Sequence, residues 1–324
     1  MISDAALFAR AQEAIKKANR ILLISDRNPD GDSVGATTAF FDWLKGWKQE
    51  IELYSPAALP KRLLYLDHAY SFTTDPAVLQ YPHDLIITFD SSSLEQTGLA
   101  PIIEKIPKGY TLIAFDHHAT NTRFADINIV FTDATATCEV IHRFFEANKI
   151  PLSSAMATSL LAGLTFDTTF FSNSATTARS LEIAGILLSQ GARLSDVIKH
   201  GAKNKSVPAL RLWGLALSRI QKNERLDLAL TYFLQKDLEG IPEAEELISG
   251  MSNFLSGICG GADAVLVLSE RADGTVRGSM RSLTRDVSKI AKLLGGGGHK
   301  KAAGFSIPGK IEVLDGQVKI VPAV

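Results

Sequence analysis

The chain reads as an α/β protein with two parts, an N-terminal domain on a mostly parallel sheet and a smaller C-terminal mixed α/β domain, with a cleft expected between them. Three observations predict this. Through the first half, unbroken apolar runs alternate with helical patterns, as a parallel sheet covered on both faces requires. Beyond Leu226 the pattern changes to short strands and tight turns. At 324 residues the chain also exceeds what one core usually serves.

The elements follow in order. Strands are expected at 21–25, 51–54, 85–89 and 112–115, with helices at 34–47 and 139–148 between and after them. A second helical block is expected over 153–190, and a basic, helix-like connector over 194–223. Strands are then expected at 226–234, 264–269 and 275–280. Asp273-Gly274 separates the last two and is a hairpin signal. A short amphipathic helix at 286–294 leads into Gly295-Gly296-Gly297-Gly298-His299. This divides the chain into a first domain at 1–195, a helical connector at 196–220 and a second domain at 221–324.

The bulk composition narrows the function. Apolar residues make up 46% and charged residues 21%, an ordinary globular balance. Residues 1–12 carry Asp4 and Arg10 and show no signal-peptide core, and no apolar run approaches a bilayer span. Two cysteines, Cys138 and Cys259, cannot form a disulfide framework or a cysteine-ligated metal site, so a cytoplasmic location is expected. A net charge of −1 argues against a general duplex-DNA binder. The charge is uneven, however: residues 271–301 hold eight Lys/Arg against two acids. A basic segment paired with an acidic region suits a small anionic ligand.

The chemistry concentrates in Asp26, Asp30, Asp32, Asp90, Asp116-His117-His118 and Asp167. Asp30, Asp90 and Asp116 fall at or just beyond the carboxyl ends of expected strands, the edge where open α/β sheets bind ligands. Clustered carboxylates repel one another unless a cation sits among them, and hard oxygen ligands suit a divalent ion. The set has enough donors for two ions sharing a carboxylate. Such a pair can bind a phosphoryl oxygen, activate water and stabilise the leaving oxygen. The mixed Asp/His set suits Mn²⁺, with Mg²⁺, Co²⁺ or Zn²⁺ as alternatives. The four glycines read as a close-approach loop, whose backbone N–H groups form a nest for phosphate beside His299. They are not a P-loop, because the Gly-x4-Gly-Lys-Ser/Thr spacing is absent.

These motifs, in this order, resemble the DHH phosphoesterase superfamily. Asn28-Pro29-Asp30-Gly31-Asp32, the isolated Asp90, Asp116-His117-His118 and Asp167 match its metal-binding domain. The tail Gly295–His299 with Ala302-Ala303-Gly304-Phe305 resembles the accompanying DHHA1 domain. The compact two-domain size is most similar to the nanoRNase/pAp-phosphatase group, which cleaves very short oligonucleotides and dephosphorylates adenosine 3′,5′-bisphosphate (pAp). The resemblance implies that Asp26, Asp30 and Asp90 hold one metal and that Asp32, Asp90, His117 and Asp167 hold the other. It implies that His118 faces the scissile phosphate, that Asp116 orients an imidazole, and that both act with Asp90 in catalysis. It also implies that Arg281, Ser279, Gly296, Gly297, Gly298 and His299 bind substrate, with Arg277 and Lys300 as weaker candidates. Asp26 stands where the small phosphatases often have His, and an aspartate there resembles RecJ-type exonucleases.

The expected partner is a short single-stranded oligonucleotide or nucleotide, with no membrane; homodimerisation is left open. His142, His68, His83 and His200 carry no accompanying pattern, and Trp43 and Trp47 read as helix packing. Cys138, in Thr137-Cys138-Glu139, reads as packing rather than nucleophile. Alternatives within the superfamily are a RecJ-like single-strand exonuclease, a cyclic-dinucleotide or polyphosphate hydrolase, and an inactive nucleotide sensor.

Overall fold

The computed structural model describes residues 4–48, 50–173, 175–201, 206–248, 250–314 and 316–322, the side chain of His299 excepted. The chain divides into two compact units, Met1–Asn204 and Lys205–Val324. Among the described residues no helix is long and apolar enough to cross a membrane.

The first unit runs α1 (Asp4–Lys17), β1 (Arg20–Ile24), α2 (Gly31–Leu44), β2 (Glu50–Tyr54), β3 (Phe72–Thr73), β4 (Leu85–Phe89), β5 (Thr111–Asp116), β6 (Ile127–Val130), α3 (Thr137–Ala147), α4 (Ser154–Asp167), α5 (Ala178–Ser189) and α6 (Leu194–Gly201). Its six strands are all parallel, in the order β3-β2-β1-β4-β5-β6. Ile21, Leu22, Leu23 and Ile24 of β1 are completely buried. Ile21 and Leu23 join one apolar cluster while Leu22 and Ile24 join another, so both faces of the sheet are covered. Each such side chain contributes about 1.5–3 kcal/mol by leaving water. Phe40 of α2 packs against Phe89, Phe115, Phe144 and Phe145, which fixes that helix over the sheet.

This topology positions the functional residues. The chain moves from β1 outward to β2 and β3, then returns to β4 on the other side of β1. Such a reversal opens a crevice at the carboxyl ends of the two central strands. Asp30 follows β1 and Asp90 follows β4, so the two acids flank that switch point.

The second unit runs α7 (Val207–Ser218), β7 (Gln221–Asn223), β8 (Leu228–Phe233), the short α8 (Gln235–Leu238) and α9 (Ala244–Leu247), α10 (Met251–Ile258), β9 (Ala264–Glu270), β10 (Thr275–Ser282), α11 (Val287–Leu293), β11 (Gly297–His299), β12 (Ala302–Pro308), β13 (Lys310–Leu314) and β14 (Gln317–Val321). Its main sheet has the order β11-β12-β10-β9-β8-β7, with β8/β9 as the parallel pair. The Asp273-Gly274 turn joins β9 to β10 as expected, with Gly274 at φ +77.

Three expectations change. The helix expected from residue 34 starts at Gly31, because Asp30 and Ser33 close a reciprocal cap at its N-terminus. The block 153–190 is two helices, broken after α4 by Thr169, Phe170 and Phe171, all at positive φ. The connector 194–223 resolves into α6, α7 and β7 among the described residues.

Candidate active site

Asp30 begins the site and also begins a helix. Its Oδ1 accepts the backbone N–H groups of Asp32 and Ser33, both at 3.0 Å. Asp32, completely buried, then meets the N-terminus of α3. Thr137 N–H donates to its Oδ2 at 2.6 Å and Cys138 N–H to its Oδ1 at 2.9 Å. A helix N-terminus favours a carboxylate in this way because its first N–H groups lack intrahelical partners. The approach depends on α2 and α4 lying unusually close. A Cβ on Gly35 would sit 2.4 Å from the Ser159 carbonyl. A Cβ on Gly163 would sit 2.3 Å from Cys138 Sγ and 2.6 Å from Asp32 Oδ1. Two glycines thus bring Asp32, at the start of α2, toward Asp167, at the end of α4.

Asp90 adopts φ +62, a left-handed conformation that a non-glycine residue holds at a cost. Its N–H is fixed to the Phe115 carbonyl and its Oδ1 accepts from Thr137 Oγ1, both at 2.9 Å. The ligand atoms of Asp32, His117 and Asp167 lie within 4.8 Å of one another, as do those of Asp90, His117 and His118. Asp26 and Asp30 stand outside both groups. Asp26 instead accepts from the Asn28 N–H at 2.8 Å and from Ser91 Oγ at 2.9 Å.

His117 tests whether this set fits a metal. Its Nδ1 lies 3.3 Å from the Ala134 carbonyl, which can only accept, so Nδ1 carries the proton. Burial lowers the affinity of this imidazole for a second proton. Nε2 therefore presents a lone pair, and it faces Asp90 Oδ1 at 3.6 Å and Asp167 Oδ2 at 3.3 Å. Acceptor faces acceptor, and only a proton or a cation between them relieves it. The carboxyls respond accordingly. Burial, then the Asp32 charge, raises Asp30 to about 6. Burial, then Asp32 and Asp30, raises both Asp90 and Asp167 well above the carboxylate range. The donor set suits a divalent ion that displaces those protons.

Asp116 acts differently. It is completely buried, and burial works against its charge. The opposing hydrogen bonds prevail and hold its carboxyl below the usual range: Oδ1 meets His118 Nδ1 at 2.7 Å, and Oδ2 accepts from Asn121 Nδ2 at 2.6 Å. His118 gains in return. Burial disfavours its charged form, but Asp116 outweighs that and raises its proton affinity. Cys138 is completely buried, and burial pushes its thiol well up, so it packs and does not attack.

In the second unit, Arg277, Ser279 and Arg281 share one face of β10, alternating with buried Val276, Gly278 and Met280. The register sets Arg281 level with Ala302 and His299, and Ser279 level with Gly304 and Gly297. The His299 side chain lies outside the described residues. The nest expected of the glycine run does not form. The N–H groups of Gly295 and Gly296 close the end of α11, and Gly297–His299 is an edge strand. Gly296 and Gly298 are fixed by packing, since a Cβ would lie 2.1 Å from the Gly304 carbonyl or 2.6 Å from that of Ala302. Gly297 alone of those three faces open space.

Sequence reasoning passed over Asn121, Ser91 and the Thr137 hydroxyl. Asn121 comes five residues after Asp116, and that spacing carries no signal until the loop folds back.

Residues 20–164 match the family model described as DHH family, N-terminal domain, and residues 242–321 match that of the DHHA1 domain. The bifunctional oligoribonuclease and PAP phosphatase NrnA of Thermus thermophilus is 26% identical over 290 residues, covering 89% of this chain and 84% of that protein. NrnA of Bacillus subtilis is 25% identical over 295 residues, covering 89% of each chain. The cyclic-di-AMP phosphodiesterase GdpP of Geobacillus thermodenitrificans is 26% identical, but the match covers only 44% of it. A solved exopolyphosphatase-related protein of Bacteroides fragilis shares the fold at TM-score 0.84 and 21% identity, covering 94% of this chain and 92% of that one.

Proposed function

This chain belongs to the DHH/DHHA1 phosphoesterase superfamily, and on that premise we propose that it hydrolyses short oligonucleotides and pAp in a divalent-metal-dependent reaction. The observation that carries the proposal is the convergence of His117 Nε2 on Asp90 Oδ1 at 3.6 Å and Asp167 Oδ2 at 3.3 Å. Manganese is the proposed metal, with two ions per chain. Asp32, Asp90, His117 and Asp167 are the proposed ligands of one, and Asp26, Asp30 and Asp90 of the other. When bound, the ions supply Lewis acidity toward a phosphoryl oxygen and an activated water.

The remaining chemistry comes from the chain itself. His118, held by Asp116 and through it by Asn121, keeps a proton to higher pH than a free imidazole. In that form it neutralises charge developing on a phosphoryl oxygen or protonates the departing one. Asp116 fixes the ring, because one of its oxygens is bound to His118 and the other to Asn121. Thr137 and the α3 N-terminus hold Asp90 and Asp32 against their mutual repulsion. In the proposed division, residues 1–195 form the catalytic domain, 196–220 the connector and 221–324 the substrate-binding domain. Arg281, Ser279, Gly297 and His299 are its proposed contacts to the nucleotide.

The test is a substrate panel with Mn²⁺ and with chelator: pAp, oligonucleotides of two to five residues, a cyclic dinucleotide, pyrophosphate and long single-stranded DNA. Turnover of pAp and the shortest oligonucleotides, lost with chelator, is expected. Rapid turnover of long DNA alone, or activity indifferent to chelator, overturns the proposal.

A further inference from the structure

Among the described residues, three of the seven arginines in the second unit are held by acids. Arg219 pairs with Asp237, Arg271 with Glu245 at 2.8 Å and Arg285 with Asp263 at 3.1 Å. Arg277 and Arg281 have no carboxylate within salt-bridge distance among the described residues. Arg281 is the more buried of these two, yet its Nη1 donates only to the Met280 carbonyl, at 2.9 Å, and its Nε to the side-chain oxygen of Asn253. A half-buried guanidinium held by neutral acceptors, beside a second arginine on the same strand face, is an uncompensated positive site.

Asn253 sits on α10, whose Met251, Ser252 and Leu255 are buried while Asn253 itself is exposed. Arginine can only donate, so the amide must turn its oxygen toward Nε, and its NH₂ group faces away. The amide's oxygen is directed at the guanidinium. Together the two side chains present N–H donors and carry no negative charge, which suits a phosphate. An aspartate at residue 253 could hold the same nitrogen but would cancel the charge.

We propose that Asn253 is a positioning residue, which fixes Arg281 for the terminal phosphate of a short nucleotide while leaving its charge uncompensated. The inference rests on the nucleotide-hydrolase reading and deepens it by giving Asn253 a role: it holds the arginine that meets the substrate's terminal phosphate. The choice of a neutral amide, rather than an acid of the kind that holds Arg219, Arg271 and Arg285, is then a determinant of specificity.

The test measures binding of adenosine 5′-monophosphate and of adenosine to the full chain by calorimetry, together with KM and kcat for a 5′-phosphorylated dinucleotide. Asn253→Asp is expected to weaken the monophosphate about tenfold while barely changing adenosine. Asn253→Ala, which frees the guanidinium without neutralising it, is expected to weaken the monophosphate about threefold. The kinetic loss is expected to fall on KM more than on kcat. Arg281→Ala separates the two layers of the argument. If it weakens the monophosphate and Asn253→Asp does not, the positioning role fails. If Arg281→Ala itself leaves the affinity unchanged, the assignment of this face to nucleotide binding fails. Thermal melting of each variant establishes that the exposed substitution leaves the unit folded.

Discussion

Replacing Asp167 by Asn should stabilise the metal-free protein and abolish most of its response to metal. Carboxylate oxygens of Asp32 and Asp167 lie within 4.8 Å of each other. Two unit charges at that separation repel by about 3.5 kcal/mol at an effective dielectric of about 20. Protonation already relieves part of this, as the raised Asp167 carboxyl shows, so the asparagine should recover roughly 1–2 kcal/mol near pH 8. In a domain of this size that corresponds to a rise in Tm of roughly 3–6 °C. Metal inverts the order. A ligand at a hundred times its Kd stabilises the native state by about 2.7 kcal/mol, and the variant lacks one of the proposed donors. The assay is thermal melting of both proteins in chelator and in Mn²⁺. Wild type should melt lower in chelator and higher in Mn²⁺. A lower Tm for Asp167→Asn in chelator, or an equal gain in both proteins with Mn²⁺, would refute the reasoning.

The pH dependence of the metal-free protein follows from the same carboxyls. Asp30 binds its proton more tightly folded than unfolded, with a value raised from 3.8 to about 6. Its contribution to stability is therefore present below 3.8 and lost as pH rises through about 6. Chelated protein should melt at lower temperature at pH 7.5 than at pH 5.5, and Mn²⁺ should remove most of that difference. Asp116→Asn should lower the proton affinity of His118, because Asp116 is what raises it; the alkaline limb of kcat/KM should move to lower pH. Asn121→Ala should reduce kcat by roughly three- to tenfold through looser placement of Asp116, with less effect on KM. Gly163→Ala should cost about 1–3 kcal/mol by overpacking, and should weaken Mn²⁺ binding because the new methyl meets Asp32 Oδ1.

The sheet was legible because its strands are buried on both faces. Residues 85–89 were expected as a strand and are one, and β1 and β2 were placed within a residue or two, since an unbroken apolar run needs no partner to be recognised. The acids were legible because charge at a strand end conflicts with its surroundings. What escaped depends on tertiary approach. The start of α2 was missed because Asp30 was read as a ligand, whereas it also caps the helix through Ser33. The hold of Thr137 and Cys138 on Asp32 links positions 105 and 106 residues apart, through two glycines whose role appears only when the helices meet. The glycine run misled for a related reason: a nest and an edge strand are both open to glycine, and pairing with Ala302, Ala303 and Gly304 chose the strand.

Anomalous diffraction at the manganese edge from crystals soaked in Mn²⁺ tests the central claim most directly. Two peaks about 3.5–4 Å apart are expected, with the Asp90 carboxylate between them and His117 and Asp167 on one of the pair. A single peak, or manganese bound away from Asp32, Asp90, His117 and Asp167, would contradict the two-metal account.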